Sequence, residues 1–281
     1  MRLGFNLFIL FQMGFLTVSA SFIIYNTVFP LYKRLRDEVR KRIPSDLLLD
    51  DKKLIISTPA GLHGFYLMGV AAYIKDNYDL SDFSYSGASA GSWNSLFLSF
   101  KGNNSEFIKT ILNSEIYNAT SINEIEKIVK KTVLANYVNE TSLFDIHKIS
   151  IGCTIYEFPF KFRLKIYDEF DSLEDIVDCC IASSHIPLIT GNILHKYKNK
   201  ITFDGGFFKY PYITTIQPTL IIKPNMWGSN FTKSNSYQNP LKYSKNNVNF
   251  TRLYEEGYND SKNNREKLNK LFVLKKKSKQ E

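Results

Sequence analysis

A serine at position 89 stands at the centre of the pentapeptide Gly-Ala-Ser-Ala-Gly, residues 87 to 91. A β-prone run precedes it, and apolar residues recur at helical spacing after it, which predicts a strand, a very tight turn and a helix. Gly87 and Gly91 let strand and helix approach closely, and the first helical turn offers unpaired N–H groups to a developing negative charge. The pentapeptide alone also occurs by chance in glycine-rich loops, but its flanking elements favour a nucleophilic Ser89.

A serine hydroxyl is a weak nucleophile at neutral pH and needs a base within hydrogen-bonding reach. The chain contains four histidines, and none of them stands in a loop with a triad signature. Asp204 is the stronger candidate base, because a predicted short strand ends there and Gly205 and Gly206 leave its carboxylate uncrowded. The alternative for an Asp-Gly-Gly sequence is a simple turn with no chemical role.

The elements around these two residues predict an α/β domain. A buried strand (54–57), a small-residue loop (58–64) and an apolar helix (65–75) form a first unit, and the serine turn forms a second. Such units are typical of α/β folds with a mainly parallel central sheet. Further helices are predicted at 105–117, 122–137, 173–183 and 253–271, and further strands at 149–156, 160–166, 201–203 and 220–222. Residues 227–249 are polar and are predicted to form a long surface loop.

The N-terminal residues Leu3 to Leu31 carry no charge and consist mainly of Phe, Leu, Ile and Val. A helix of this length exceeds the roughly 30 Å hydrocarbon core of a bilayer, so we expect an N-terminal transmembrane helix. A cleavable signal peptide is the alternative, because Val18-Ser19-Ala20 is similar to a cleavage site, although the apolar run continues past it. The basic residues that follow favour a single-pass anchor with a cytosolic domain, whereas cleavage would send the chain through the secretory pathway.

This pattern divides the chain into three segments. They are a membrane anchor (1–31), a basic connector (32–52) and a folded domain with a basic C-terminal tail (53–281). Much of the formal net charge of +9 lies in two clusters, Lys33 to Arg42 and Lys275 to Lys279. Basic clusters outside a core indicate contact with anionic membrane surfaces, and the second cluster is equally well explained as a solvated tail.

Two classes of function are disfavoured by the residue pattern. The basic residues lack an aromatic-interleaved strand motif and a recognition-helix pattern, so we expect no nucleic-acid partner. The three cysteines form no metal-ligand pattern and no even disulfide framework, since Cys179 and Cys180 are adjacent in an apolar helical run. We therefore expect no metal site.

Four motifs, in order along the chain, resemble those of patatin-like phospholipases. They are TPAGLHGFYLMGV at 58–70, Gly-Ala-Ser-Ala-Gly at 87–91, Ala182-Ser183-Ser184 followed by Pro187, and Asp-Gly-Gly at 204–206. The separation of Ser89 and Asp204 resembles the animal branch of that family more than its plant storage proteins. The run at 253–258 is similar to a helix that often closes the domain. The resemblance covers about residues 53 to 268.

This resemblance implies a three-layer α/β/α fold and a dyad of Ser89 and Asp204 that acts on acyl esters of lipids without a metal or other cofactor. By similarity, Ser89 attacks the ester carbonyl, Asp204 takes its proton, and water hydrolyses the acyl-enzyme. The expected function is a lipid acyl hydrolase, of the phospholipase A type or a related lipase, with membrane lipid as substrate. A transacylase, in which an alcohol replaces the water, uses the same residues.

The oxyanion loop departs from the pattern of the family, which is three glycines, any residue, a basic residue and a glycine. Aligned on Gly64, the three glycine positions are Pro59, Ala60 and Gly61. Proline has no N–H to donate, so the expected oxyanion donors are the amides of Ala60, Gly61 and Ala90. The missing donor supports an alternative function, a non-catalytic, membrane-tethered lipid-binding protein of the same fold.

His63 occupies the basic position of that loop. A histidine there makes a contact with a lipid head group dependent on pH. The choice between phospholipid and neutral-lipid substrates therefore stays open.

Overall fold

A seven-stranded mixed sheet forms the centre of the part of the chain that the structure describes. The computed structural model describes residues 53–157, 161–207, 217–227 and 248–275. All of these residues belong to one unit, Asp50–Glu281. The strands are β1 Lys53–Ser57, β2 Phe83–Gly87, β3 Ile149–Glu157, β4 Lys161–Tyr167, β5 His195–Tyr197, β6 Lys200–Phe203 and β7 Leu220–Ile222.

The strand order is β5-β6-β3-β2-β1-β7, with β4 also paired to β3. The pairs β1/β2, β1/β7 and β2/β3 are parallel, as expected for strands joined by helical crossovers. The pairs β3/β4, β3/β6 and β5/β6 are antiparallel. The parallel strands therefore extend from β3 to the β7 edge of the sheet, and the antiparallel pairs lie at the other end.

Helices connect and cover these strands. They are α1 Gly64–Asn77, α2 Ala90–Ser99, α3 Asn104–Ile111, α4 Ser114–Asn118, α5 Ile122–Tyr137, α6 Leu173–Ser183, α7 Phe250–Asn263 and α8 Arg265–Asn269. Side-chain caps begin several of them: Ser121 accepts the N–H of Glu124 before α5, and Ser172 accepts the N–H of Asp175 before α6. Such caps satisfy N–H groups that the first turn of a helix leaves unpaired, which explains why α5 and α6 begin where they do.

Both faces of the central strand β1 are buried. Ile55 and its register partner Tyr85 belong to the main core, which also contains residues of α1 and α2. Leu54 and Ile56 point the other way and form a separate cluster with Ala88. Burial on both faces is typical of a central parallel strand and explains the apolar run in this part of the sequence.

Helix α1 is buried from Tyr66 to Lys75 and packs against α7. The two helices meet through glycines. A Cβ atom at Gly69 would lie 2.0 Å from the carbonyl oxygen of Tyr254, and one at Gly257 would lie 2.1 Å from that of Tyr66. No side chain fits at such distances, so a larger residue at either position would push α7 away from α1.

The prediction of a transmembrane helix before this domain needs correction. Among the described residues, no helix is long and apolar enough to cross a membrane. The longest of these helices, α5, has 16 residues, which gives about 24 Å at roughly 1.5 Å per residue, short of the roughly 30 Å that a span requires. The predicted anchor (1–31) and connector (32–52) lie outside the described residues. The observed fold is mixed α/β, and a single-pass membrane localisation is not supported.

Other predicted elements differ from the structure in detail. The single helix predicted at 105–117 is two helices, α3 and α4, because Asn113 caps a new helix there. The helix predicted at 253–271 is likewise divided at Asn264 into α7 and α8. Most of the loop predicted at 227–249 lies outside the described residues, as does most of the basic C-terminal tail.

A buried lysine closes the C-terminal end of α2. Lys75 is 6% exposed, and its Nζ donates hydrogen bonds to the carbonyl oxygens of Phe97 (2.8 Å), Leu98 (3.1 Å) and Phe100. The last carbonyls of a helix have no partner within it and carry the negative end of its dipole, so one ammonium group satisfies three acceptors. Burial lowers the pKa of Lys75 to about 7, whereas the three carbonyl oxygens favour its charged form.

We expect Lys75→Met to lower the free energy of unfolding by about 2–4 kcal/mol, because three carbonyl groups at the end of α2 would lose their buried donor. Urea-induced unfolding measures this difference. The matched control is Lys109→Met, which alters an exposed lysine in the last turn of α3 and should change stability by less than about 0.5 kcal/mol. Equal stability of the two variants would contradict this role of Lys75.

Candidate active site

Two strands end opposite each other along one edge of β3. β2 pairs in parallel with residues 149–151, and β6 pairs antiparallel with residues 154–156. β4 occupies the other edge of β3, so β2 and β6 share the same edge and run towards each other. The chain segments that leave β2 and β6, which contain Ser89 and Asp204, therefore meet beside Gly152.

Ser89 lies in the turn between β2 and α2, with φ 54° and ψ −132°. This is a conformation that side chains rarely adopt and that turns at functional sites use at a cost in free energy. The N–H of Gly91 donates to the carbonyl of Ala88, and that of Ser92 to the carbonyl of Ser89, both at 2.9 Å. A Cβ at Gly91 would lie 2.1 Å from the carbonyl oxygen of Ser57, so only glycine lets α2 start this close to β1.

Backbone hydrogen bonds hold Asp204 at the end of β6. Its N–H donates to the carbonyl of His185 (2.7 Å), and its carbonyl accepts the hydroxyl of Thr154 (2.8 Å). The N–H of Gly206 donates to the Asp204 carboxylate Oδ1 at 2.6 Å. The Asp-Gly-Gly sequence thus forms a turn whose own amide orients the carboxylate.

The structure brings the two side chains together. The Ser89 hydroxyl lies beside the Asp204 carboxylate, close enough to lower the pKa of that carboxyl group. The two chain segments touch there, since a Cβ at Gly205 would lie 2.7 Å from the Cβ of Ala88 and 2.0 Å from the carbonyl oxygen of Gly152. The imidazole of His185 lies against that of His195, with ring centroids 5.4 Å apart. The hydroxyl of Ser89 and the carboxylate of Asp204 are therefore neighbours in one buried site.

Burial makes Asp204 a stronger base than an ordinary carboxylate. Ser89 is 7% and Asp204 is 8% exposed. Loss of solvent raises the pKa of Asp204 from 3.8 to about 6, and the hydrogen bonds from Ser89 and Gly206 oppose that rise only in part. Above pH 6 the carboxylate is ionised, so it can accept a proton from the serine.

The loop from Pro59 to Gly64 borders the dyad on two sides. A Cβ at Gly64 would lie 2.8 Å from the Cβ of Ala90, the residue after the serine. One at Gly206 would lie 2.9 Å from the Cβ of Pro59. Pro59 thus packs against the turn that follows Asp204, and the loop covers the space between the start of α2 and the end of β6.

The predicted oxyanion donors lie around this space. Among the described residues, the amides of Ala60, Gly61 and Ala90 donate to no hydrogen-bond acceptor. Ala90 is the first residue of α2, where the helix leaves N–H groups unpaired. Gly61 has φ +54°, and the space beside it is open. The unpaired amide of Ala90 therefore directly follows Ser89, and those of Ala60 and Gly61 lie in the loop that borders the site.

His63 lies inside the domain and not at the rim of the site. Its side chain is 4% exposed. Burial lowers its pKa, against the opposing effects of a hydrogen bond with the Ala60 backbone and of the Glu256 charge on α7. Because the imidazole of His63 is buried, the structure does not support its predicted contact with a lipid head group.

Ser183 belongs to the Ala-Ser-Ser motif at 182–184, but the sequence predicted no role for it. Its hydroxyl oxygen accepts the N–H of Ser89 (2.8 Å), and its proton goes to the carbonyl of Gly152 (2.7 Å). The last residue of α6 therefore holds the backbone of the strained turn against β3. The Ala-Ser-Ser motif was the signal, but its role depends on how α6 packs.

Glu126 is a second buried carboxyl group near Asp204. It lies near Ser184, whose hydroxyl accepts the indole N–H of Trp93 (3.2 Å) and donates to the carbonyl of Cys180 (2.9 Å). Burial raises the pKa of Glu126 well above its ordinary value, and the Asp204 charge adds to this. Both effects favour the protonated form of Glu126.

No sequence signal pointed to Glu126, which lies on the amphipathic helix α5. Among the residues that the structure describes, no group of three or more His, Cys, Asp or Glu side chains could hold a metal ion. The three cysteines are buried and have free thiols.

Comparisons with known proteins give little beyond this geometry. No protein-family model matches the chain, and no curated protein matches it. Among solved structures, the crystal structure of VipD from Legionella pneumophila is similar in part, with a TM-score of 0.38 and 12% sequence identity. The similarity covers 60% of this chain and 48% of VipD, about half of its length. A likeness this weak shows neither a family nor an activity.

We expect Asp204→Asn to stabilise the protein at alkaline pH. The folded state binds the Asp204 proton more tightly than the unfolded state, so ionisation above about pH 6 costs stability. The amide removes this charge and keeps an oxygen for the N–H of Gly206. The free energy of unfolding of the variant should exceed that of wild type by roughly 1–3 kcal/mol at pH 8.

Urea unfolding at pH 8 and at pH 4 tests this expectation. Near pH 4 the gain should vanish, because wild-type Asp204 is then protonated in the folded state. The exposed Asp171→Asn serves as control and should show no gain at either pH. A variant that is less stable than wild type at pH 8 would contradict the expectation that ionisation of the buried Asp204 lowers the stability of the folded protein.

Proposed function

We propose that the protein is a lipid acyl hydrolase, a serine esterase of the phospholipase A or related lipase type. The observation that carries this proposal is the close approach of the strained Ser89 to the buried Asp204. A hydroxyl beside a carboxylate of raised pKa, at the start of a helix, has the nucleophile, base and electrostatic environment that ester cleavage needs. Structural turns have no need of this combination.

The proposed reaction uses groups of this chain in two steps. Asp204 accepts the Ser89 proton as the serine oxygen attacks the ester carbonyl, and the amides of Ala90, Ala60 and Gly61 stabilise the oxyanion. Asp204 then gives the proton to the leaving alcohol, which leaves an acyl-enzyme. Water attacks the acyl group while Asp204 takes its proton, and the fatty acid is released as Ser89 recovers its hydrogen.

The raised pKa of Asp204 supports this role. A general base works best when its pKa lies near the operating pH, and an ordinary aspartate with a pKa of 3.8 is too weak a base to accept a serine proton efficiently. The raised pKa of Glu126 supports it too, because a second negative charge nearby would hinder ionisation of Asp204. The choice of lipid esters rests on the resemblance of the motifs to patatin-like phospholipases.

A non-catalytic lipid-binding protein is the second candidate, and Pro59 is the observation that favours it. Proline removes one N–H from the oxyanion loop, and a single lost donor costs roughly a hundredfold in turnover. The strained backbone of Ser89 and its proximity to Asp204 favour the hydrolase, because a binding protein gains nothing from either. A transacylase shares every step up to the acyl-enzyme and differs in the acceptor.

We expect a fluorophosphonate probe to label the wild-type protein at Ser89, because the probe reacts with serines activated by a base and an oxyanion hole. Ser89→Ala should abolish labelling and lower hydrolysis of phospholipid or monoacyl esters roughly a thousandfold or more. Ser95→Ala is the control, since that hydroxyl lies on the same helix and donates to the Gly91 carbonyl. Folded wild type without labelling or hydrolysis would favour the non-catalytic protein.

The rate of hydrolysis should fall in acid with an apparent pKa of about 6, because protonated Asp204 cannot take the serine proton. The measurement is kcat/KM for a soluble ester such as p-nitrophenyl butyrate between pH 4 and pH 8. Asp204→Asn should be nearly inactive over the whole range. An acid limb at the ordinary aspartate pKa of 3.8 would argue against a buried Asp204 as the base.

A further inference from the structure

The segment between α6 and β5 exposes large apolar side chains to solvent. We name residues 186–194 of this segment the apolar loop. Leu188 is 66% exposed, Ile193 61% and Leu194 56%. Exposed apolar residues are unremarkable when scattered singly, but three in nine residues form a patch that burial within the described fold does not explain.

Hydrogen bonds hold the apolar loop in one conformation. The hydroxyl oxygen of Thr190 accepts the N–H of Ile186 (2.9 Å), and its proton goes to the carbonyl of Ser184 (3.1 Å). Leu188 has φ +65°, a left-handed conformation that a leucine adopts only at a cost in free energy. The fold thus keeps a strained leucine with its side chain in solvent, and such strain points to a function.

The apolar loop adjoins the dyad. His185, the residue before it, accepts the N–H of Asp204 through its carbonyl group. The His185 ring lies 6.2 Å from that of Phe203, which in turn lies 5.7 Å from Phe162 on β4. Phe162 is 47% exposed, and Phe207, which follows Asp204 in a short 3-10 turn, is 43% exposed. The exposed apolar surface therefore extends from the loop past the base of the dyad.

The distribution of such residues over the described part of the chain is uneven. Ten large apolar side chains are exposed there, and five of them belong to this surface, which we name the docking face. Its members are Phe162, Leu188, Ile193, Leu194 and Phe207. Three others, Leu271, Val273 and Leu274, lie near the end of the described chain, so the docking face is a specific concentration beside the site.

Positive charge accompanies the docking face. Lys161 precedes Phe162 on β4, and Lys196 follows the apolar loop on β5; both are exposed. Apolar side chains flanked by lysines match the surface of an anionic lipid bilayer, where the apolar groups enter the interface and the ammonium groups meet phosphate.

We propose that the docking face binds peripherally to a lipid surface with anionic head groups and holds the dyad over its ester substrate. This inference rests on the proposed lipid hydrolase, for which it supplies the surface that meets the substrate. The binding is reversible contact of a folded surface, with Leu188, Ile193 and Leu194 inserted and Lys161 and Lys196 against the phosphates.

The test places an environment-sensitive NBD fluorophore on the loop through Ile193→Cys. The native thiols are buried, so they should not react. The full chain also carries Ser89→Ala, which prevents hydrolysis during the titration. We expect vesicles of phosphatidylcholine with about 30% phosphatidylserine to shift the NBD emission to the blue and raise it several-fold. NBD at Val138→Cys, a position that is 44% exposed and belongs neither to the docking face nor to the basic C-terminal cluster, should respond little.

Two sets of substitutions assign the response to the docking face. Leu188→Asn with Leu194→Gln should weaken vesicle binding roughly tenfold or more, and asparagine suits the left-handed backbone at 188. Lys161→Gln with Lys196→Gln should weaken binding to the anionic vesicles and reduce its salt dependence, with little effect on pure phosphatidylcholine. These substitutions, made in the protein with Ser89 intact, should leave hydrolysis of p-nitrophenyl butyrate within about twofold, because none contacts the dyad.

The outcomes separate this inference from the proposed function. If NBD at 193 does not respond to vesicles while the soluble ester is still hydrolysed, the docking face is wrong and the hydrolase stands. If NBD at 193 and at 138 respond equally, the contact is not specific, and the docking face is again wrong. If NBD at 193 responds and the leucine variant loses that response, but no ester is hydrolysed, the docking face stands and the catalytic proposal falls.

Discussion

The close approach of the Ser89 hydroxyl to the buried Asp204 carboxylate is the feature on which the rest of the candidate site depends. It arises because β2 and β6 run towards each other along one edge of β3, so their ends meet beside Gly152. A parallel neighbour and an antiparallel neighbour on the same edge give this meeting of strand ends, which a purely parallel sheet would not provide. The antiparallel end of the sheet therefore positions one half of the candidate site.

Holding these two residues in this arrangement costs free energy. Ser89 occupies an unfavourable backbone conformation, and Asp204 ionises where little water reaches it. The surrounding contacts offset these costs: Ser183 holds the serine turn against β3, and Lys75 closes the far end of α2. Close backbone contacts at Gly91 and Gly205 leave no room for the turns to relax. Stability and reactivity thus compete at the same residues, as is common at sites built for chemistry.

The exposed apolar residues beside the dyad fit the same account of the site. A soluble enzyme that acts on dispersed substrates needs a cleft, whereas one that acts on lipid needs a surface that tolerates both water and hydrocarbon. The apolar loop is anchored by Thr190 and ends where β5 begins, so its position is coupled to the strands that carry Asp204. Pro59 contributes to this region by packing against Gly206, a structural use that replaces the N–H it lacks.

The sequence by itself determined what depends on near neighbours. The helices Ile122–Tyr137 and Leu173–Ser183 lie at the predicted residues because their caps and apolar periodicity are local. The turn around Ser89 could be predicted for the same reason, and Asp204 could be named as a candidate base from the glycines beside it. Only the tertiary structure decided that the two meet, that Glu126 and Ser183 join them, that His63 is buried, and that β5 exists. Those features depend on which distant segments of the chain pack together. The burial of a side chain, the shift of its pKa and the pairing of a short strand follow from that packing and not from the local sequence.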